Sequence, residues 1–160
     1  MRLLTIGGYG FSRESFIAAL KRAGVDTFVD VRRRRGMRGA AYSFLNHKKL
    51  EATLAVVGVR YIHALALAPT TEIRDAQKAS DAANGEAKRD RTRLAPEFVA
   101  AYEQKVLLRY TKEAFLSAVG EDATNVALFC VEGSPEACHR SLAAAYLSQL
   151  LATKVEHLRP

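Results

Sequence analysis

The chain has 160 residues, of which 49% are apolar, and it carries a net charge of +7. This length fits one ordinary domain with a sizeable core, and no low-complexity segment interrupts it. The longest nearly uncharged stretch, 141–153, is too short to span a bilayer, so no membrane association is expected. A strand pattern begins within two residues of Met1 and leaves no room for a signal peptide. Two cysteines without a secretory signal favour reduced thiols and a cytoplasmic location.

Strand and helix patterns alternate along the chain. Apolar and β-branched runs predict strands at 3–6, 27–31, 59–63, 125–131 and 155–158. Helical spacing of apolar residues predicts helices at 12–23, 47–57, 70–83, 96–119 and 134–151, with Asn46 and Ser134 as N-caps of the second and last. The polar, basic segment 84–94 is interpreted as a mobile loop inside a single domain. Alternation of this kind predicts a three-layer α/β/α domain with a mostly parallel sheet of about five strands.

A glycine turn, Gly7-Gly8-Tyr9-Gly10, follows the first strand and leads into the first helix. Glycines permit tight turning and close approach of a ligand, and a helix N-terminus offers free N–H groups to an anion. The spacing lacks the third glycine of the dinucleotide fingerprint. Gly7 and Gly8 are therefore candidate ligand contacts, and a plain tight turn is the alternative.

The end of the second strand places a carboxylate and a guanidinium on the same face, at Asp30 and Arg32. A buried carboxylate needs a partner, and Arg32 is the nearest. The pair is interpreted either as a structural ion pair or as a general base with an anion clamp. His63, at the end of the third strand, joins this site if the strand order brings it beside Asp30.

A basic stretch begins at Arg32. Between Arg32 and Lys49 there are seven Lys or Arg residues and no carboxylate. These are Arg32, Arg33, Arg34, Arg35, Arg38, Lys48 and Lys49. Side chains in a loop after a strand are expected to be solvated and able to contact phosphate groups, and Arg38 is included in the candidate site. A second cluster, Lys88, Arg89, Arg91 and Arg93, is either a phosphate-binding feature or an ordinary basic face.

Near the C-terminus, an apolar strand runs through Cys130 and Glu132 into a turn and a helix that contains Cys138, His139 and Arg140. The helix around Arg140 is otherwise rich in Ala and Leu, so an arginine there needs an acidic or anionic partner. Adjacent helical residues diverge by about 100°, so Cys138 and His139 are not expected to face each other. The cysteines and histidines lack the paired spacing of a zinc site, and no metal site is predicted from them. Asp30 and Glu132 could instead hold a divalent metal such as Mg²⁺, although no motif requires one.

Four segments occur together in a familiar order: Thr5-Ile6-Gly7, Asp30-Val31-Arg32, the run 58–63, and Cys130-x-Glu132-x-x-Pro135-x-x-Cys138-His139-Arg140. This set resembles the bacterial and archaeal family catalogued as domain of unknown function 488, nearly end to end. The resemblance implies a single α/β domain and a pocket at these motifs, but no reaction. Family members often carry a proline shortly after the Asp-Val-Arg motif, where this chain has Arg33-Arg34-Arg35-Gly36.

These residues together predict a pocket for a phosphate-bearing ligand or nucleic acid at the carboxyl ends of the strands. Asp30 and Glu132 are the candidate catalytic residues of a hydrolase or nuclease. Arg32, Arg140, Cys138 and His139 are candidates for holding the ligand. The alternative is a non-catalytic binding module in which the Asp–Arg pairs are structural. Sequence does not decide whether the chain is an enzyme, which strands are neighbours, or whether it oligomerises.

Overall fold

The computed structural model of the chain describes residues 1–87 and 90–160. Its centre is a five-stranded, all-parallel sheet with the strand order β3-β2-β4-β1-β5. The strands are β1 (Arg2–Ile6), β2 (Thr27–Asp30), β3 (Arg60–His63), β4 (Asn125–Phe129) and β5 (Val155–Leu158). The predicted fold class, a three-layer α/β/α domain with a mostly parallel sheet, is confirmed.

Helices cover both faces of the sheet. They are α1 (Arg13–Arg22), α2 (His47–Val56), α3 (Thr71–Ala83), α4 (Pro96–Lys105), α5 (Lys112–Val119) and α6 (His139–Leu151). Helix α6 packs on β1, β4 and β5 and contacts α4 and α5, whereas α2 packs on β3. Right-handed crossovers place α1 and α2 on one face and α3 to α6 on the other. None of the helices in the described residues has the length and apolar character needed to cross a membrane.

The central strands β2 and β4 are buried on both faces, which explains the continuous apolar sequence of β4 after Asn125. An aromatic cluster fills the space between the sheet and α1. Phe16 lies at the centre of this cluster, with ring centroids 6.1 Å from Phe28 and 5.7 Å from Phe129. Such edge-to-face pairs stabilise the core beyond the burial of their area.

Two predicted helices differ from the structure. The predicted helix at 96–119 is two helices, α4 and α5, separated by a 3-10 turn at Leu107–Arg109, and the side chain of Thr111 caps α5. The predicted helix from 134 begins instead at His139, because Pro135–Ala137 forms a 3-10 turn and Cys138 is extended.

Of the two predicted N-caps, Asn46 does occupy the N-cap position of α2 but makes no side-chain capping bond, and Ser134 is wrong because Cys138 is the N-cap of α6. Ser134 makes no capping bond, and its hydroxyl donates to Glu136. Asn46 makes no capping bond either, since its Oδ1 accepts from the Met37 N–H at 2.7 Å. Asn46 thereby ties down the basic loop that follows β2.

Candidate functional site

A pocket of about 550 Å³ opens at the carboxyl edge of the sheet, where the strands end. Its walls come from the segments after β1, β2 and β4, from α3 and α4, and from Arg91. The segment after β2 leads to α2 on one face, and the segment after β4 leads to α6 on the other. Where the connections after two neighbouring strands leave on opposite faces of an open α/β sheet, a crevice forms between them, and ligands bind in that crevice.

The pocket is strongly basic, and we call it the basic pocket. Its cationic lining residues within the described chain are Arg32, Arg33, Arg34, Arg38, Arg74, Lys78 and Arg91. Glu132 is the one carboxylate among the described residues that line it. Arg33, Arg34 and Arg38 are exposed, and they form no salt bridge within the described part of the chain. An excess of cations concentrated in one concave surface attracts anions.

Asp30 and Arg32 form a buried, bidentate ion pair beneath this pocket. Arg32 Nε and Nη2 donate to the two carboxylate oxygens of Asp30 at 2.9 and 2.7 Å. The Arg32 N–H and the Tyr61 hydroxyl donate to the same carboxylate at 3.0 and 2.6 Å. Asp30 is completely buried and, among the described residues, is not part of the pocket lining. The carboxylate therefore positions Arg32.

Arg32 itself is not solvated, contrary to the sequence-based expectation, because it is only 3% exposed. Its guanidinium lies 4.6 Å above the Phe129 ring centroid, and Nη2 also donates to the Leu45 carbonyl. Burial lowers the pKa of Arg32, but Asp30 outweighs it and the pKa is raised overall. Nη1 has no hydrogen-bond partner in the described residues. A buried donor of this kind costs stability unless it is satisfied.

Two side chains on β3 support this pair. Burial, followed by the bond to Asp30, raises the pKa of Tyr61 to about 12, so the phenol stays protonated and donates. His63 is the register partner of Asp30 in the sheet, as the sequence hypothesis required. Its Nε2 lies 2.9 Å from the Arg32 carbonyl, so His63 holds the basic loop by its backbone.

Glu132 follows β4 and is held from two sides. Oε1 lies 3.4 Å from Arg91 Nη2, while Arg91 also pairs with Asp81 at 3.0 Å and donates to the Ala137 carbonyl. Arg91 is buried, although it belongs to the cluster interpreted either as a phosphate-binding feature or as an ordinary basic face. Lys88 and Arg89 of that cluster, which belong to the loop predicted at 84–94, lie outside the described residues.

Both cysteines lie beside Glu132 and both are free thiols. Cys130 and Cys138 donate to Glu132 Oε2 at 3.0 and 3.1 Å. Burial raises the pKa of Cys130 well above its ordinary value, which keeps this thiol neutral near pH 7. A low-pKa nucleophilic thiol is therefore not the arrangement seen at Cys130.

His139 faces the two cysteines, which corrects the expectation that Cys138 and His139 diverge. That expectation assumed a helical Cys138, whereas its backbone is extended with φ −138° and ψ 136°. His139 Nδ1 lies 4.0 Å from Cys130 Sγ, and Nε2 lies 3.0 Å from the Val31 carbonyl. Burial lowers the pKa of His139, but Cys130, Glu132 and the Val31 carbonyl outweigh it and raise the pKa overall.

Arg140 is fully buried but is not among the described lining residues of the basic pocket. Its two terminal nitrogens donate to the carbonyls of Glu132 and Gly133, so it holds the turn that carries Glu132. Gly7 and Gly8 pack against this turn and the core. A Cβ on Gly7 would lie 2.3 Å from the Glu132 carbonyl oxygen, which explains the glycine by close packing.

Among the contributors not selected from the sequence as site residues are Tyr61, Arg74 and Lys78. Arg74 and Lys78 are four residues apart on α3 and so share one helix face. That spacing is a usable signal for a basic face, but it does not show that α3 turns the face toward the sheet edge. Tyr61 carried no separate signal, because an aromatic residue in a strand is ordinary.

Comparison with known proteins identifies a family. The family model described as Domain of unknown function DUF488 matches residues 12–147, which include every strand of the sheet except β1 and β5. No curated protein and no solved structure matches the chain significantly.

Proposed function

Since the chain belongs to the family of domain of unknown function 488, we propose from its own geometry that it binds a phosphate-bearing ligand in the basic pocket, with nucleic acid as the ligand class. The observation that supports this most is the set of seven Arg and Lys side chains around one cavity of about 550 Å³. Arginine suits phosphate because its planar guanidinium donates two parallel hydrogen bonds.

The cations have different roles in this proposal. Arg32 is rigid, held by Asp30 and Tyr61, and keeps Nη1 for an anion. Arg33, Arg34 and Arg38 are exposed and attract the ligand over a longer distance. Preorganisation of one donor beside these exposed cations reduces the entropy lost on binding.

The pocket also has an apolar side. Tyr9, Met37, Leu94 and Phe98 line it together with the cations. A nucleotide unit needs both kinds of surface, since its phosphate is anionic and its base has apolar faces. Inorganic phosphate would use only part of such a pocket.

Hydrolysis of the bound ligand is a finer proposal, and Glu132 is the residue that favours it. Glu132 lines the pocket, whereas both oxygens of Asp30 accept bonds from Arg32 and Tyr61. A nuclease would therefore use Glu132 as its acid or base, and Asp30 would act only by positioning Arg32. The alternative class is a binding module with no turnover, in which the Asp30–Arg32 pair is structural.

Fluorescence anisotropy with a labelled single-stranded oligonucleotide tests the binding proposal. The double variant Arg33→Ala with Arg34→Ala is compared with Lys21→Ala with Arg22→Ala, which removes the same charge at the end of α1. Log affinity should fall with log salt by about 0.7 to 0.9 per phosphate contact, and the first variant should reduce a slope of about three or more.

The outcomes separate the possibilities. Weaker binding with a smaller slope in the first variant only supports the proposal. Equal loss in both variants means that net charge, and not the basic pocket, holds the oligonucleotide. Absence of binding at low salt overturns nucleic acid as the ligand. Glu132→Gln then separates binding from turnover, since a nuclease would lose cleavage of the oligonucleotide while keeping affinity.

A further inference from the structure

We propose that Cys130, Cys138 and His139 form a zinc-binding site in the wall of the basic pocket. One ligand atom from each of the three residues lies within 4.8 Å of the other two. All three residues are buried, and Cys130 and His139 also line the pocket. This inference does not depend on phosphate binding, because none of the three is a cation of the pocket.

The donor set and its spacing suit zinc. Zn²⁺ prefers thiolate and imidazole ligands, with bonds of about 2.3 Å to sulfur and about 2.0–2.1 Å to nitrogen. A tetrahedral arrangement with these bonds places the ligand atoms roughly 3.5–3.8 Å apart. The observed group needs to contract by only about 1 Å to reach that geometry. Magnesium and calcium are disfavoured, because they require oxygen ligands.

The hydrogen bonds of His139 point to the same use. The Val31 carbonyl can only accept, so the Nε2 atom 3.0 Å away carries the hydrogen. Nδ1 is the remaining ring nitrogen and faces Cys130 Sγ at 4.0 Å. A metal-bound histidine almost always donates its other ring N–H to a carbonyl or carboxylate, which fixes its tautomer and orientation.

Three protein ligands leave one tetrahedral position of the metal unfilled. Glu132 Oε2 lies against both sulfurs and is the nearest carboxylate to fill it. Cys130 and His139 form part of the cavity wall, so the site borders the basic pocket. When zinc binds, each Zn–S bond replaces an S–H bond, and the two thiol protons pass to solvent.

Metal titration of the full chain tests the site. The reduced protein is treated with EDTA, desalted and titrated with zinc sulfate. Bound zinc is then measured by inductively coupled plasma mass spectrometry. One zinc per chain and a higher Tm are expected. Substitution with Co²⁺ should give a thiolate-to-cobalt charge-transfer band in the near ultraviolet. Failure of the wild-type protein to bind zinc, or a cobalt complex without that band, overturns the proposal.

Variants identify the ligands. Cys138→Ser and His139→Asn should each weaken zinc binding by at least the ~10–100-fold that loss of an outer-sphere partner costs. His47→Asn, a histidine at the start of α2 on the other face of the sheet, should leave zinc binding unchanged. Unchanged affinity in Cys138→Ser overturns the site. If either variant fails to fold by circular dichroism, the cobalt spectrum of the wild-type protein decides the question.

The two proposals can fail separately. Oligonucleotide anisotropy is measured on metal-free protein, and zinc titration is measured without oligonucleotide. If the protein binds zinc but no oligonucleotide, the zinc site is supported and the proposed function is overturned. If the two cysteines form a disulfide after purification and the reduced protein takes up no zinc, the zinc site is overturned and the proposed function is unaffected.

Discussion

Substitution of Asp30 by asparagine is the most informative change, because it removes one charge from a completely buried pair. The new amide would place an N–H₂ group against Arg32 Nη2 and the Tyr61 hydroxyl, which now lie 2.7 and 2.6 Å from a carboxylate oxygen. Arg32 would keep its charge while only 3% exposed. Breaking a buried pair in this way costs about 3–5 kcal/mol, since the remaining charge is uncompensated.

The expected change in Tm follows from the chain length. For a protein of this size, 1 kcal/mol corresponds to about 2–4 °C, so Asp30→Asn should lower Tm by roughly 6–20 °C. Urea unfolding at pH 7, followed by circular dichroism, measures the free energy directly. The matched control is Asp75→Asn, which removes an exposed carboxylate paired with Lys78 and should leave stability unchanged.

A second substitution distinguishes the effect of the uncompensated Arg32 charge from the effect of lost packing. Adding Arg32→Met to Asp30→Asn removes the uncompensated guanidinium, so the double variant should be more stable than Asp30→Asn alone. A loss below about 1 kcal/mol in Asp30→Asn, together with lost cleavage of the oligonucleotide at unchanged affinity, would refute a positioning role and support a catalytic one.

Two further predictions concern other contacts. Gly7→Ala should destabilise the protein by about 1–3 kcal/mol, because its Cβ would meet the Glu132 carbonyl oxygen at 2.3 Å, whereas Gly36→Ala meets nothing closer than 3.8 Å and should be neutral by thermal unfolding. Burial raises the pKa of Asp26, but hydrogen bonds from Thr124 and neighbouring groups outweigh it and lower the pKa below 3.8. The carboxylate therefore stabilises the fold above its unfolded pKa and loses this effect as pH falls through the folded one. Urea titrations from pH 7 to about pH 2 should accordingly show Asp26→Asn approaching wild-type stability at the acid end, and a constant difference would contradict the assignment.

The sequence predicted the elements of the sheet well, for a physical reason. Parallel strands covered on both faces are continuous apolar runs, so 125–131 was recognisable without any partner. The order of the strands was not predictable, because β4 pairs with β1 and β2 across long stretches of chain. The carboxyl-edge location of Asp30 and Glu132 followed from strand ends alone.

Local details of the site depended on distant residues. A continuous helix from 134 would bond the Ala137 carbonyl to the Ser141 N–H. Arg91 takes that carbonyl instead, from 46 residues away, and Ser141 N bonds to Cys138. The extended backbone of Cys138, which brings both sulfurs beside His139, therefore depends on tertiary contacts, and helical periodicity does not predict it.

The position of β4 in the sheet has a consequence for the timing of folding. β1 and β2 do not pair with each other in the sheet, since β4 lies between them and pairs with both. Arg2 bonds to Asn125 across 123 residues, so the ribosome must deliver β4 before the first two strands can join one sheet. Contacts at such separations slow folding and leave apolar strands exposed meanwhile. A fragment of residues 1–120 would contain β1 and the β2–β3 pair but not β4, the strand that joins them. A chaperone that binds extended apolar segments would therefore bind the nascent chain and not the folded domain.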